Sequence, residues 1–293
     1  AYTGLKKGVE DSLLKVPGAG ERILGQMKRA KSGLKQLIVP GMFFEDMGIT
    51  YLGPVDGHDT NSLIRVINEA KRRKNAVMIH VLTKKGKGYA PAENHPARFH
   101  GAGPFDVATG VPLKKKMKAN YTDIFSTVMI KQGQRNEKIV AITAAMPDGT
   151  GLKRFSHAYP DRFFDVGIAE QHAVTFAAGL AAAGLKPIFA VYSSFLQRAY
   201  DQLLHDVAIG KLHVVLGIDR AGVVGEDGET HHGLFDVSFL TSIPGTTIYA
   251  PACYDELTLC LRQAMYQDTG LACVRYPRGA DNTISVSYTH LRA

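Results

Sequence analysis

The second half of this 293-residue chain alternates between short apolar segments and longer segments that are amphipathic or rich in alanine. Segments such as 139–143 and 187–192 have the length and composition of buried strands, whereas 169–184, 195–209 and 254–267 have the length of helices. Strands that alternate with helices are typical of a parallel sheet with helices on both faces. The pattern therefore predicts an α/β fold.

Composition divides the chain into four segments. We assign 1–95 to the C-terminal part of a first domain and 120–284 to a second, nearly complete domain. Residues 96–119 between them are rich in Gly, Pro and Lys, which is typical of a linker. The tail 285–293 continues neither pattern, and we expect it to be non-native. Because the chain also opens without Met, we expect a fragment whose first domain is truncated.

The first domain is also predicted to alternate between helices and strands. The sequence predicts a helix over 5–35, a strand over 50–52, a turn-rich loop over 53–59, a helix over 60–74 and a strand over 76–83. Asp59 or Thr60 is expected to cap the second helix, since both residue types accept hydrogen bonds from the free N–H groups at a helix start.

Composition also limits the classes of partner. Lys and Arg outnumber Asp and Glu by 35 to 27, and the net charge of +8 favours anions such as phosphorylated metabolites. Nucleic acid is disfavoured because no RNA-recognition motif occurs. No apolar run reaches the roughly 18 residues of a membrane span, and no signal peptide is visible. The three cysteines lack metal-ligand spacing, so we expect them to be small apolar residues of the core. Unpaired cysteines are typical of a reducing compartment, and we expect the protein to be cytoplasmic.

Glu170 stands where a predicted strand, ending near Val166, runs into the alanine-rich helix. Ligands of α/β proteins bind at the carboxyl ends of parallel strands, so a glutamate at this junction is a candidate catalytic residue. Polar residues follow three further strand ends, which share the same edge of the sheet. These segments are 192–202 with Tyr192 and Arg198, 219–233 with Arg220, Asp227 and His231, and 276–279 with Arg278.

Two of these residues have simpler explanations. Glu170 could be a helix-start glutamate that the helix dipole stabilises. Arg198 could be an exposed helix arginine that pairs with Asp201 or Asp206.

The loop 221–233 has alternatives of its own. Asp227 with the adjacent His231 and His232 invites a metal site, but adjacent loop side chains rarely converge on one ion, and we favour proton transfer. The glycines of this loop let the backbone approach a ligand closely. They do not form a nucleotide-binding P-loop, since Gly-Lys-Ser/Thr is absent.

Several motifs, in order, resemble the pyrimidine-binding domain of transketolase-like thiamine-diphosphate enzymes and, more narrowly, the 1-deoxy-D-xylulose-5-phosphate synthase family. They are Gly167-Ile168-Ala169-Glu170-Gln171-His172, the segment 192–202, and Asp219-Arg220-Ala221-Gly222 followed by Asp227-Gly228-Glu229-Thr230-His231. Motifs at 53–59, 85–89 and 275–279 resemble the same family. The family's third domain is missing, as is its Gly-Asp-Gly stretch, whose Asp with a later Asn holds magnesium. We therefore expect an inactive fragment with no metal ligands, the magnesium ligands belonging to a missing N-terminal part.

The resemblance implies a thiamine-diphosphate-binding fold and gives roles to individual residues. It implies that Glu170 contacts the N1′ nitrogen of the aminopyrimidine, that Phe195 stacks on this ring, and that Ile168 and Tyr89 line the cofactor site. It places five residues around the reacting carbons: Tyr192, Arg198, Asp227, His231 and His100. Among these, His231 is implied to be the acid that protonates the developing alkoxide. Arg220 and Arg278 are implied to bind the phosphate group of the acceptor substrate.

The activity implied is the condensation of pyruvate with glyceraldehyde 3-phosphate, with loss of carbon dioxide, as the first step of non-mevalonate isoprenoid synthesis. A cytoplasmic homodimer without nucleic-acid or membrane partners is implied as well. Three alternatives stay open: a transketolase that transfers a two-carbon ketol, a pyruvate dehydrogenase β subunit, and a non-catalytic remnant. The reactive residues at the strand ends argue against a non-catalytic remnant, because such a remnant would not need them.

Overall fold

The computed structural model describes residues 42–113, 118–225 and 227–281. The chain forms two compact units, residues 1–115 and residues 116–293. The division falls inside the segment 96–119 that was predicted to be a linker. The predicted helix over 5–35 and the tail 285–293 lie outside the described residues.

The first unit contains a strand–helix–strand motif whose two strands pair in parallel. Its described elements are α1 (Met42–Asp46), β1 (Thr50–Asp56), α2 (Thr60–Lys71), β2 (Val77–Leu82) and α3 (Ala90–Asn94). The predicted loop over 53–59 is wrong in its first half, because β1 continues through a register shift between Leu52 and Val55 and ends at Asp56.

Helix α2 begins where the sequence predicts. The Asp59 side chain accepts hydrogen bonds from the backbone N–H groups of Asn61 and Ser62, over 3.0 and 3.3 Å, which confirms Asp59 as the cap. The helix ends at Lys71 rather than at Lys74.

The second unit contains a six-stranded sheet with helices between the strands. Its longer elements are α4 (Tyr121–Arg135), β3 (Ile139–Thr143), α5 (Lys153–Ala158), β4 (Phe163–Asp165), α6 (Glu170–Ala182), β5 (Lys186–Tyr192), α7 (Ser193–Leu196), α8 (Tyr200–Gln202), β6 (Val214–Asp219), α9 (Asp236–Thr241), β7 (Thr247–Tyr249), α10 (Tyr254–Tyr266) and β8 (Leu271–Arg275). The strand order is β4-β3-β5-β6-β8-β7, and every pairing is parallel, which confirms the predicted α/β fold.

Two apolar cores cover the two faces of this sheet. Alternate residues of one strand point to opposite faces, so Phe189 of β5 packs with α6 while its neighbour Ile188 packs with α4 and α10. Both residues are fully buried. Such burial on both faces explains why the strands are continuously apolar.

The segment after β5 departs from the prediction. The sequence predicts one helix over 195–209, but the chain forms α7, a 3-10 turn over Gln197–Ala199, α8 and a π-helical segment over Leu203–Ala208. Such irregular turns are frequent at functional sites because they re-aim side chains. The short helices α5 and α9 were not predicted either, since six residues are too few for a periodic pattern.

In the part of the chain that the structure describes, no helix combines the length and the apolar character needed to cross a bilayer.

Candidate active site at the carboxyl edge of the sheet

The carboxyl ends of β4, β5, β6 and β8 meet at one edge of the six-stranded sheet, and the predicted site residues of the second unit follow these ends. Glu170 is the first residue of α6, after β4. Tyr192 ends β5, Asp219 ends β6, and Arg278 lies shortly after β8. Because the pairing is parallel throughout, this edge collects polar groups that the core excludes.

The Glu170 carboxylate is nearly buried and is paired with Arg198. The Nη1 atom of Arg198 donates to Oε1 of Glu170 over 2.6 Å, and the glutamate side chain is only 3% exposed. The alternative pairing of Arg198 with Asp201 or Asp206 is therefore wrong. Asp201 instead lies 3.0 Å from His205, one helical turn further on. A carboxylate at a helix start also benefits from the positive end of the helix dipole.

Aromatic rings lie next to this ion pair. The Phe195 ring stacks against Tyr192, with 5.7 Å between ring centroids, and the guanidinium carbon of Arg198 lies 4.9 Å from the Phe195 centroid. The His231 ring meets Phe195 edge-on at 5.3 Å and Tyr192 at 6.4 Å. The structure thus brings together four residues that the sequence predicted for one site.

The residues just before Glu170 are fixed by Asp165. Its Oδ1 atom accepts hydrogen bonds from the backbone N–H of Ala145, over 2.7 Å, and of Gly167, over 3.0 Å. This contact ties the turn after β3 to the turn that leads into α6. Ile168, predicted to line the cofactor site, is 82% exposed, so its apolar side chain is available to a ligand.

Arg220 is held more tightly than any sequence pattern indicated. Its backbone has φ +59°, a left-handed conformation that non-glycine residues rarely adopt. Its Nη1 atom lies 2.9 Å from Oδ2 of Asp219 and donates to the carbonyl oxygen of Gly149 over 2.8 Å. Its guanidinium carbon lies 4.2 Å from the centroid of the Tyr192 ring. A side chain fixed by an ion pair, a carbonyl and a ring presents its remaining donors in one direction.

Asp219 is a residue of this site that sequence reasoning did not assign. It is fully buried, accepts a hydrogen bond from the Thr122 hydroxyl over 2.7 Å, and accepts the backbone N–H of Arg220 over 2.7 Å. Burial raises the pKa of the Asp219 carboxyl, while the Arg220 charge and the Thr122 hydrogen bond act in the opposite direction. The available signal was an aspartate at the end of an otherwise apolar strand.

Gly149 is a second unassigned residue of the site, and its lack of a side chain leaves room for the Tyr192 hydroxyl. A Cβ atom at this position would lie 2.1 Å from the Tyr192 hydroxyl. Burial also raises the pKa of the Tyr192 phenol, although the Arg220 charge opposes this effect, so the phenol is a proton donor at neutral pH.

Asp227 links the two arginines that were predicted to bind phosphate. Its Oδ1 atom lies 2.7 Å from Nη1 of Arg278, and its Oδ2 atom lies 3.8 Å from Nε of Arg220. Arg220 and Arg278 follow different strands, yet one carboxylate touches both. Two guanidinium groups that both lie beside one carboxylate can also reach one multiply charged anion.

The neighbouring histidines do not form a metal site with Asp227. The Nδ1 atom of His231 lies 2.9 Å from the Thr230 hydroxyl, whereas Nδ1 of His232 accepts the backbone N–H of Val224 over 3.1 Å. Across the described ranges, no group of three or more His, Cys, Asp or Glu side chains could hold a metal ion.

Tyr89 and His100 belong to the first unit. The Tyr89 hydroxyl donates to the carbonyl oxygen of Val107 over 2.8 Å, and its ring contacts Phe99 and Phe105. His100 is exposed. Their roles toward a cofactor or substrate stay predictions.

Two family models match the chain. A model described as the pyrimidine-binding domain of transketolase matches residues 117–282. A model described as 1-deoxy-D-xylulose-5-phosphate synthase matches residues 1–83.

Proteins named 1-deoxy-D-xylulose-5-phosphate synthase are similar to nearly the whole chain. The protein of Clostridium acetobutylicum is 55% identical over 285 residues, which are 97% of this chain and 46% of the relative. The protein of Pelotomaculum thermopropionicum is 54% identical over 279 residues, covering 95% and 44%. That of Lachnoclostridium phytofermentans is 53% identical over 277 residues, covering 94% and 44%. The chain therefore spans less than half the length of these curated relatives.

Solved transketolase structures share the fold. A split-gene transketolase, described as an inactive β4 tetramer, matches with a TM-score of 0.52 at 24% identity, over 60% of this chain and 57% of that one. Transketolase from Campylobacter jejuni matches with a TM-score of 0.52 at 15% identity, over 84% and 49%. At these identities the likeness concerns the fold alone.

Proposed function

Because the chain belongs to the family of transketolase pyrimidine-binding domains and is similar over nearly all its length to 1-deoxy-D-xylulose-5-phosphate synthases, we propose that it is part of such a synthase. The whole enzyme would condense pyruvate with glyceraldehyde 3-phosphate and release carbon dioxide. Its product, 1-deoxy-D-xylulose 5-phosphate, would enter isoprenoid synthesis.

The observation that carries this proposal is a series of neighbouring side chains along the edge of the sheet. It begins at a buried carboxylate, passes over two aromatic rings and ends between two guanidinium groups. The series runs Glu170–Arg198 (2.6 Å), Arg198–Phe195 (4.9 Å), Phe195–Tyr192 (5.7 Å), Tyr192–Arg220 (4.2 Å), Arg220–Asp227 (3.8 Å) and Asp227–Arg278 (2.7 Å).

The start of this series suits the aminopyrimidine ring of thiamine diphosphate. Glu170 is a buried acceptor for a ring N–H group, and Phe195 offers an aromatic surface beside it. Ile168, two residues before Glu170, adds exposed apolar surface. When bound, thiamine diphosphate supplies the carbon nucleophile and stabilises the negative charge that decarboxylation leaves. The chain's own part is to hold the ring and to accept the N1′–H hydrogen bond at Glu170.

The middle of the series suits proton transfer to the substrates. The Tyr192 phenol and the His231 imidazole lie beside the Phe195 ring, and each can donate a proton to an oxygen of a reacting carbonyl group. We assign to His231 the protonation of the acceptor's developing alkoxide. Arg198, which is 45% exposed beside buried Glu170, is the cation that a substrate carboxylate would meet first. Asp227 and His100 complete the group of residues proposed to surround the substrates.

The end of the series suits a phosphate group. Arg220 and Arg278 can each form charge-assisted hydrogen bonds to phosphate oxygens, for which a planar guanidinium is well shaped. Glyceraldehyde 3-phosphate carries such a group, whereas pyruvate does not. The two arginines therefore support the acceptor as the phosphorylated substrate.

We also propose that the whole enzyme uses magnesium, forms a homodimer and is located in the cytoplasm. The family resemblance implies that magnesium and diphosphate ligands complete the site and that the full-length protein is a homodimer. Exposed apolar side chains in the second unit, among them Leu234 and Phe235, support contact with another chain. The three cysteines are free thiols, which suits a reducing compartment.

A chimera tests the proposed activity without any assumption about the flanking sequence. Residues 1–281 replace the corresponding segment of the Clostridium acetobutylicum relative, and the product formed from pyruvate and glyceraldehyde 3-phosphate is identified by mass spectrometry. We expect 1-deoxy-D-xylulose 5-phosphate and release of carbon dioxide. A folded chimera that instead transfers a two-carbon ketol from xylulose 5-phosphate would support a transketolase and contradict the proposal.

A further inference from the structure

We propose that Asp227 is a built-in counter-anion for Arg220 and Arg278, which a phosphate group displaces on binding. The inference rests on the proposed function only in taking a phosphorylated acceptor as the ligand. It goes beyond that function by giving Asp227 a role in selecting which anion enters the site.

Asp227 lies where such a phosphate would lie. Its carboxylate contacts Arg278 through Oδ1, at 2.7 Å, and faces Nε of Arg220 through Oδ2, at 3.8 Å. One carboxylate thus spans both guanidinium groups, as a phosphate with oxygens on several sides would do.

The contact with Arg220 is incomplete. Both the Nε atom of Arg220 and the Oδ2 atom of Asp227 are buried, and neither has a hydrogen-bond partner within the described part of the chain. Their separation of 3.8 Å exceeds the roughly 3.2 Å of an N–H···O hydrogen bond. A buried donor without an acceptor is unfavourable, so a ligand that reaches Nε gains a hydrogen bond that Asp227 does not make.

Arg220 is not free to close this gap itself. Asp219 and the carbonyl group of Gly149 hold its Nη1 atom, and its guanidinium packs over the Tyr192 ring. Its side chain is only 13% exposed. Arg220 is therefore held in place, and an anion that binds its Nε atom has to approach within hydrogen-bond distance.

The charges give Asp227 a selective effect. Asp219 pairs with Arg220 and Asp227 pairs with Arg278, so the Asp227 carboxylate already places one negative charge beside the two guanidinium groups. A carboxylate ligand would only replace one single charge by another, whereas a phosphate dianion brings a second charge and additional oxygens. Asp227 thereby disfavours carboxylates such as pyruvate at the acceptor position more than it disfavours phosphate.

The test uses the 293-residue chain, with inorganic phosphate and acetate as probes in calorimetric titrations. Asp227→Asn keeps the shape of the side chain and removes its charge. We expect it to bind phosphate about tenfold tighter, the effect of one charge-assisted contact, and to bind acetate where the unsubstituted chain does not. Asp161→Asn is the matched control, because Asp161 is exposed and precedes β4 at the opposite edge of the sheet.

Unchanged or weaker phosphate binding by Asp227→Asn would overturn the proposal, since Asp227 would then only order the arginines. Asp227→Glu, which keeps the charge, should show no tightening. If Asp227→Asn does not fold, the Arg220 Nε–H signal in ¹H–¹⁵N spectra of the unsubstituted chain tests the displacement instead. The signal should shift on phosphate addition, and a constant signal contradicts displacement. None of these measurements needs turnover. A negative result in the synthase assay can therefore be distinguished from a negative result on the displacement of Asp227 by phosphate.

Discussion

Arg198 and Glu170 form an ion pair of 2.6 Å although their exposures differ widely, 45% for the arginine side chain and 3% for the glutamate. The pair joins the start of α6 to the irregular segment after β5. It therefore orients the proposed pyrimidine-binding carboxylate from outside the helix that carries it.

The first prediction concerns the strength of this pair. In a double-mutant cycle of Arg198→Gln and Glu170→Gln, urea unfolding of the chain should give a coupling energy of about 1–2 kcal/mol, because one partner is buried and the other is partly screened by solvent. Asp201→Asn removes an exposed partner of His205 and should change the free energy of unfolding by less than about 0.5 kcal/mol. Additive effects of the two glutamine substitutions would mean that the contact contributes nothing to folding.

The second prediction separates the substrates. In the active chimera, Arg220→Ala or Arg278→Ala should raise KM for glyceraldehyde 3-phosphate about 10- to 100-fold, since each loses a charge-assisted hydrogen bond to phosphate. KM for pyruvate should change little. D-Glyceraldehyde, which lacks the phosphate, is the control acceptor, and its KM should be the same with and without Arg278. Equal effects on both substrates would contradict a phosphate site at these arginines.

The third prediction concerns Gly149. Gly149→Ala places a methyl group 2.1 Å from the Tyr192 hydroxyl, and the displacement should lower the free energy of unfolding by about 1–3 kcal/mol. Tyr192→Phe in the same chain should restore part of the loss, because it removes the clashing oxygen. Gly225→Ala is the control, since its Cβ would meet no atom within 4 Å. If urea unfolding finds Gly149→Ala as stable as Gly225→Ala, the close approach is absent.

The fourth prediction concerns the 293-residue chain by itself. It carries the proposed pyrimidine site but contains no Gly-Asp-Gly stretch for magnesium and diphosphate. We expect calorimetry with thiamine diphosphate and magnesium to show weak binding or none, and a pyruvate decarboxylation assay to show no turnover. Micromolar binding together with carbon dioxide release would mean that these residues suffice for the whole site.

The strands and the position of Glu170 could be predicted because they depend on local sequence. A continuous apolar run fixes β3 at 139–143, and a strand that meets an alanine-rich helix fixes the junction before α6. Both patterns arise within a window of a few residues.

The contacts that build the site could not be predicted in the same way. The Arg198–Glu170 pair joins residues 28 positions apart, and Arg220 reaches Gly149 across 71 positions. Such contacts depend on the strand order of the sheet, which no periodic pattern encodes. The left-handed backbone of Arg220 depends on the same tertiary packing, because local propensity disfavours it. Gly149 was missed for this reason, whereas Asp219 had a local signal as the aspartate that ends an apolar strand.

The central claim is that Glu170 acts on the N1′ nitrogen of bound thiamine diphosphate. This role is tested most directly by the rate at which the thiazolium C2 proton exchanges for deuterium. NMR measures this rate in the chimera with bound thiamine diphosphate and no substrate. Glu170→Gln keeps the size of the side chain and should slow the exchange by roughly 10²–10⁴-fold, the usual range for lost acid–base assistance. Exchange at the unsubstituted rate, with the cofactor bound as tightly as before, would contradict the account.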